Sequence, residues 1–257
     1  MDELRLFLLD MDGTLYLGDE VIDGAVSFIH TLADKGRRYI YLTNNSSRAG
    51  ADYVARLSGL GFPCEAENVF TSSMATALYL RERHPDESVY LVGTHAFERE
   101  LRDAGVHLTE EDPTVVAVGF DTELNYHKLA IAVKYLRRGA EFIAANPDWV
   151  CPMPGGEVLP DCGSICALLT AATGAVPHYI GKPNHNMIDI ISGMTGVPNA
   201  KIACVGDRLY TDIAVAKNAG ATAICVLSGE TSLEDIENSD VKPDLIFPSV
   251  KEIGENL

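Results

Sequence analysis

The stretch Leu4-Arg5-Leu6-Phe7-Leu8-Leu9-Asp10-Met11-Asp12-Gly13 decides how this chain is read. A largely apolar run of strand length ends in two carboxylates two positions apart, and Gly13 then lets the backbone turn tightly away from them. Strand side chains alternate faces, so positions 10 and 12 aim the same way. Two like charges so close need a cation, a proton or a cationic side chain in order to coexist. A divalent metal meets that need and also neutralises an incoming phosphate, so the motif reads as half of a metal-assisted phosphoryl-transfer site. The competing reading is an acidic turn that closes a hairpin, and only the rest of the chain separates the two.

Working outward, apolar runs of strand length alternate with amphipathic helical stretches, the pattern of an α/β protein with a mainly parallel sheet. Strands are expected near 4–10, 38–43, 88–92, 114–119, 140–145, 177–180, 201–206, 221–227 and 244–247. Helices fit between them at 25–34, 49–60, 74–83, 96–104, 126–138, 164–173, 187–195 and 210–219, several closing on a glycine. The longest stretch with little regular pattern, 146–163, holds four prolines and is read as a functional loop or a surface excursion.

With 257 residues and 47% hydrophobic content, the chain can bury one large core or two smaller ones. Twenty basic residues against 37 acidic give a net charge of -17, which disfavours nucleic acid and anionic membranes as partners. An anionic substrate then needs a locally positive spot. The six cysteines lie mostly in apolar stretches and read as reduced core thiols; Cys162 and Cys166 share a helix face, but no further Cys or His completes a zinc pattern. No leader and no run of membrane-spanning length is evident, so a cytoplasmic location is expected.

Three further segments support the site. Tyr39-Ile40-Tyr41-Leu42 runs into Thr43-Asn44-Asn45-Ser46-Ser47, small polar residues at a strand-to-helix junction that suit an anion cradle or a helix cap. Lys182 lies between Gly181 and Pro183 after another short strand, where open α/β sheets bind ligands, although an isolated lysine is often merely solvated. Ile202-Ala203-Cys204-Val205-Gly206 delivers Asp207, with Asp212 five residues on. Asp207 suits a hard cation or a helix cap; Asp212 suits a supporting position or an exposed first turn.

The motifs D-M-D-G-T-L, L-T-N-N-S, G-K-P and V-G-D-R-L-Y-T-D, in that order, resemble the haloacid dehalogenase superfamily. The hundred or so intervening residues of α/β pattern, together with Ala145-Asn146-Pro147-Asp148, look like the large cap of its NagD-like, p-nitrophenyl phosphatase branch. The resemblance implies a Rossmann-like core with a parallel sheet, from residues 1–78 and 179–257, and an inserted α/β cap at 79–178. It implies Asp10 as nucleophile, Asp12 as general acid and base, and magnesium held by Asp10, Asp207 and the Asp12 carbonyl. Thr43, Asn44, Asn45 and Lys182 would hold the phosphoryl group, with Asp212 in support. Asn146, Asp148 and the Cys151–Asp161 loop are the expected determinants of substrate choice, and a homodimer through the cap is implied as well.

The function expected is hydrolysis of a small phosphomonoester, such as a sugar phosphate, a nucleotide or p-nitrophenyl phosphate, through an aspartyl-phosphate. Phosphoryl transfer between sugars by the same intermediate is the enzymatic alternative, and a catalytically silent metabolite-binding protein the non-enzymatic one. A nicotinamide-dependent enzyme lacks support, because no G-x-G-x-x-G follows the first strand.

Overall fold

The computed structural model describes residues 1–257, with the side chain of Pro154, inside the Cys151–Asp161 loop, lying outside the described residues. The chain forms two compact units. The first comprises Met1–Thr43, Gly50–Phe70 and Lys182–Leu257, and the second Asn44–Ala49 and Thr71–Gly181.

The first unit is built on a six-stranded sheet in the order Leu245–Phe247, Thr222–Val226, Ile202–Gly206, Leu6–Leu9, Arg38–Thr43, Val69–Thr71. Leu6–Leu9 pairs in parallel with Ile202–Gly206 on one side and with Arg38–Thr43 on the other. Its four residues are all buried, as a strand covered on both faces requires. Phe7, Leu9 and Met11 enter one core cluster with Phe28, Ile29, Leu32, Tyr41, Val205 and Ile224. The rings of Phe7 and Phe28 meet edge-on at 6.4 Å. Positions 7, 9 and 11 thus share one side, which leaves the other side to position 10.

The second unit has its own five-stranded sheet, ordered His178–Tyr179, Glu141–Ala144, Val115–Val118, Ser88–Val92, His107–Leu108, with parallel registers throughout. The apolar run Val115–Val118 is wholly buried at its centre. A second core cluster forms around Val116, Val118, Phe142, Ile165 and Leu169.

The α/β alternation read from sequence is what the structure shows, and all the expected strands are present. Other boundaries shift. The division between units falls at Thr71 and Gly181 rather than at 78 and 178, and a cut at 78 would sever the continuous helix Ser72–Arg83, which Thr71 caps through Met74 N–H at 3.1 Å. Within 146–163, Val150–Pro152 pairs antiparallel with Val158–Pro160. No alternation announces this hairpin, because most of its residues are exposed on both faces. Two short terminal helices, Leu233–Asn238 and Val250–Glu255, were not expected; each opens on a capping box, Ser232/Asp235 and Ser249/Glu252. Cys64, Cys162, Cys166, Cys204 and Cys225 are free thiols, four of them buried. Among the described residues no helix is long and apolar enough to cross a membrane.

Candidate active site

Sheet order reverses direction at Leu6–Leu9, since the chain builds outward first toward Arg38–Thr43 and later toward Ile202–Gly206. Ligands bind beyond the carboxyl ends of strands at such a switch point. Asp10 stands there, its N–H continuing the ladder by donating to Val205 O at 2.9 Å. The chain then turns at once, with Met11 O accepting Leu15 N–H at 2.8 Å and Gly13 N–H donating to Tyr16 O at 2.8 Å. Asp12 is exposed at the tip of this turn. Thr43 closes one neighbouring strand and Asp207 follows the other, at the same end of the sheet.

Lys182, only 3% exposed, donates from Nζ to Asp10 Oδ1 and to Asp212 Oδ1, both at 2.6 Å. The backbone just beyond it is held where Asn218 Nδ2 donates to Pro183 O at 2.8 Å. The other carboxylate oxygen of Asp212, Oδ2, accepts Arg208 N–H at 3.2 Å. This tight return of chain is a π-helical turn, Leu209–Ile213, that precedes the helix Ala214–Ala219, a departure common at functional sites.

Asp207, 2% exposed, accepts Glu230 N–H on Oδ2 at 2.7 Å, and its carbonyl accepts Thr231 N–H at 3.2 Å. Its Oδ1 is buried with no hydrogen-bond partner among the described residues. Glycines let the backbone close around this carboxylate. A Cβ on Gly13, whose φ is +84°, would lie 2.3 Å from Asp207 Oδ2, and one on Gly229 would lie 2.0 Å from it. Ser228 Oγ ties the two loops by donating to Gly13 O at 2.9 Å.

One carboxylate oxygen from each of Asp10, Asp207 and Asp212 lies within 4.8 Å of the others. Burial first, and then the Asp212 charge, push Asp10 up to about 7, against the pull of Lys182. The same two causes push Asp207 up to about 6, partly offset by the Glu230 N–H. Burial works against a charged Lys182, but Asp10 and Asp212 outweigh it and hold the ammonium protonated. Three acids against Lys182 and the nearby Arg208 leave an excess of carboxylate that a proton or a further cation would relieve. A buried, unpartnered carboxylate oxygen on Asp207 fits a divalent ion as ligand.

The remaining expected site residues gather in the second unit. Asp148 Oδ2 accepts from Asn44 Nδ2 at 3.0 Å and from Asn146 Nδ2 at 2.9 Å. Asn146, fully buried, also reaches Asp161 Oδ1 at 3.2 Å, the atom that accepts Cys162 N–H and so caps the helix Cys162–Thr173. Asn45 folds back onto Ser47, accepting its N–H at 2.8 Å.

Burial pushes the Asp161 carboxyl from 3.8 up to about 7, Asp148 adding to the rise while the Cys162 N–H and Asn146 oppose it. A carboxyl raised in the folded state favours folding while protonated, and that contribution is lost as pH rises through about 7. At about 1.4 kcal/mol per pH unit, the loss is bounded at roughly 4 kcal/mol. Asp161→Asn keeps the cap acceptor without the charge. Its denaturation midpoint should therefore gain on the wild type between pH 5 and pH 8.5. A gain that is absent or reversed would contradict an uncompensated buried carboxyl at this position.

Sequence reasoning missed the Ser228-Gly229-Glu230-Thr231 loop, which encloses Asp207. The available signal was its place directly after the strand Thr222–Val226, at the sheet end where the other site residues stand. Arg208 was passed over too; it pairs with Glu230 at 3.0 Å, a residue that also holds Asp207 through its backbone.

The haloacid dehalogenase-like hydrolase family matches residues 7–107, and a second HAD-hydrolase-like family matches 179–253. The chain belongs to the haloacid dehalogenase-like hydrolases. Within that family it is 36% identical to an acid sugar phosphatase of Staphylococcus aureus, over 98% of this chain and 97% of the relative. It is similar in structure to a 4-nitrophenylphosphatase of Thermotoga maritima, with a TM-score of 0.94 and 42% identity over 99% of this chain and 97% of that one. NagD of E. coli superposes with a TM-score of 0.90 at 35% identity, covering 97% and 98% of the two chains. A glycerol phosphate phosphatase of Mycobacterium tuberculosis in complex with magnesium matches with a TM-score of 0.91 at 32% identity, covering 99% of this chain and 78% of that one. The chain is thus an HAD-type hydrolase among phosphatase relatives, NagD-like in its fold.

Proposed function

We propose that the protein is a magnesium-dependent phosphatase that hydrolyses small phosphomonoesters through an aspartyl-phosphate on Asp10. The observation that carries this reading is the Asp10 carboxylate, held at the switch point by Lys182 and facing Asp207 and Asp212. Lys182 engages Oδ1, so Oδ2 is the oxygen left to attack phosphorus. As the Oδ2–P bond forms, the P–O bond to the leaving group breaks, and the exposed Asp12 delivers a proton to the departing oxygen. In the second step Asp12 takes a proton from water, the water oxygen bonds to phosphorus, and the Asp10 carboxylate is released. Lys182 opposes the negative charge on the phosphoryl oxygens throughout, while Asp212 holds the lysine in place. Thr43 and the adjoining Asn44-Asn45 segment are read as the remaining phosphoryl-binding groups.

Magnesium would be held by Asp10, Asp207 and the Asp12 carbonyl, where it would supply the positive charge that lets phosphate approach these acids. The positive focus answers the question posed by an acidic protein with an anionic substrate. Small phosphorylated metabolites are the proposed substrate class, in keeping with the acid sugar phosphatase relative.

Phosphate release from p-nitrophenyl phosphate, sugar phosphates, nucleotides and glycerol phosphate, with magnesium and after chelation, tests the reading. Chelation should abolish release and added magnesium restore it. Asp207→Asn should raise the magnesium concentration needed for half-maximal activity by at least about 10-fold, given the cost of even indirect changes around a metal. Turnover that survives chelation, or a magnesium requirement unchanged in D207N, would overturn the metal assignment.

A further inference from the structure

Residues 44–47 follow Thr43 directly, yet their bonds tie them into the second unit. Asn44 O accepts from the buried Ser72 Oγ at 2.5 Å, and Asn44 Nδ2 donates to Asp148 at 3.0 Å. Ser46 Oγ accepts Phe120 N–H at 2.8 Å, and Ser47 O accepts from Thr94 Oγ1 at 3.0 Å. Asp148 is itself set by Asn146, which is fully buried and also bonded to Asp161. Gly163 N–H donates to Asp148 O at 2.8 Å, so the residue is held at both backbone and side chain. The approach is close: a Cβ on Gly181 would lie 2.7 Å from Asn44 Oδ1 and 2.5 Å from Ala145 O.

We infer that Asp148 is a positioning residue for phosphoryl binding: through its hydrogen bond to the Asn44 carboxamide it fixes the conformation of the Thr43-Asn44 junction. The carboxamide has two rotamer-dependent ends, and the Asp148 acceptor selects which way it points. A charge-assisted bond in a partly buried setting is strong enough to hold that choice. Asn146 and Asp161 act one step further back, because without them Asp148 would be free to turn toward water. Asn146 therefore supports the site from inside rather than meeting substrate itself.

The inference rests on the proposal that Thr43 and Asn44 bind the phosphoryl group, and a double-mutant cycle separates the two ideas. Kinetics on p-nitrophenyl phosphate with magnesium, and competitive inhibition by inorganic phosphate, would be measured for N44A, D148L, D148N and N44A/D148L. D148L should lower kcat/KM about 10-fold and N44A at least as much, and the pair should cost no more than N44A alone, because Asp148 acts through the carboxamide that N44A already lacks. The inhibition constant for phosphate should rise by the same factor, whereas a merely structural loss of active protein would lower kcat and leave it unmoved. D148N, which keeps an acceptor oxygen, should stay within about 3-fold of wild type. Multiplicative losses in the double variant, or D148N as impaired as D148L, would overturn the positioning role while leaving phosphoryl binding by Asn44 intact. An N44A enzyme of wild-type kcat/KM would instead refute the role of Asn44, and the present inference with it. Should D148L fail to fold, D148S removes the reach to Asn44 with a smaller polar side chain and carries the same cycle.

Discussion

Asp10→Asn should end turnover, with kcat/KM for p-nitrophenyl phosphate falling by more than about 10⁴-fold, the scale on which removal of a covalent nucleophile is felt. The amide is the same size and keeps an acceptor for Lys182 Nζ, so the ammonium retains both partners in the site. What it lacks is an anionic oxygen able to form the bond to phosphorus. Acid quenching of the wild type during turnover should trap a phosphoryl group on the protein, and the variant should trap none. Its thermal midpoint should not fall, since a carboxylate beside Asp207 and Asp212 has been exchanged for a neutral group. Substantial turnover by D10N would remove Asp10 as nucleophile. A large drop in stability would show instead that the charge on Asp10 holds the fold.

Lys182→Met should damage both activity and stability. The lysine is buried between two carboxylates at 2.6 Å each, and breaking such a pair from one side typically costs about 3–5 kcal/mol, because the opposing charge is left uncompensated. Here two carboxylates are stranded. Activity should fall about 10²- to 10³-fold, the range for removing one group that stabilises transition-state charge. Denaturant midpoints without and with magnesium check the first figure, and initial rates the second. A second substitution, Asp212→Asn, should recover part of the stability lost in K182M, because it neutralises one of the stranded acids, and should recover little activity. Equal stability of K182M and wild type would mean that the acids are compensated by something other than the lysine. Arginine is not expected to substitute, because a planar guanidinium does not fit a site that encloses a compact ammonium.

The outcome of both experiments depends on features of unequal legibility. That Asp10 follows a buried strand was readable, because Leu6-Phe7-Leu8-Leu9 has no polar position and a strand buried on both faces must look that way. Gly13 was readable as a turn. Its second duty, leaving room for the Asp207 carboxylate, was not, since that contact spans almost two hundred positions of chain. For Ser228-Gly229-Glu230, the place just after the strand Thr222–Val226 was legible, but its enclosure of Asp207 was not, because that contact joins segments about twenty positions apart. The capping boxes at Ser232 and Ser249 are legible, because an acid stands three residues after each serine. The hairpin at Val150–Pro160 was not, because exposed residues carry no periodic mark of their pairing.

Local rules acting on the sequence determine the element types, the α/β order and the placing of Asp10, Thr43 and Asp207 at the carboxyl ends of their strands, because each depends only on residues near in the chain. Motif order is enough to assign the family. The tertiary structure alone decides that Lys182 lies between Asp10 and Asp212, that Asp207 keeps a buried oxygen with no hydrogen bond among the described residues, and that the Asn44 carboxamide donates to Asp148. These relations join residues 30 to 172 positions apart, and the sheet order and loop packing that bring them together set their distances and burial.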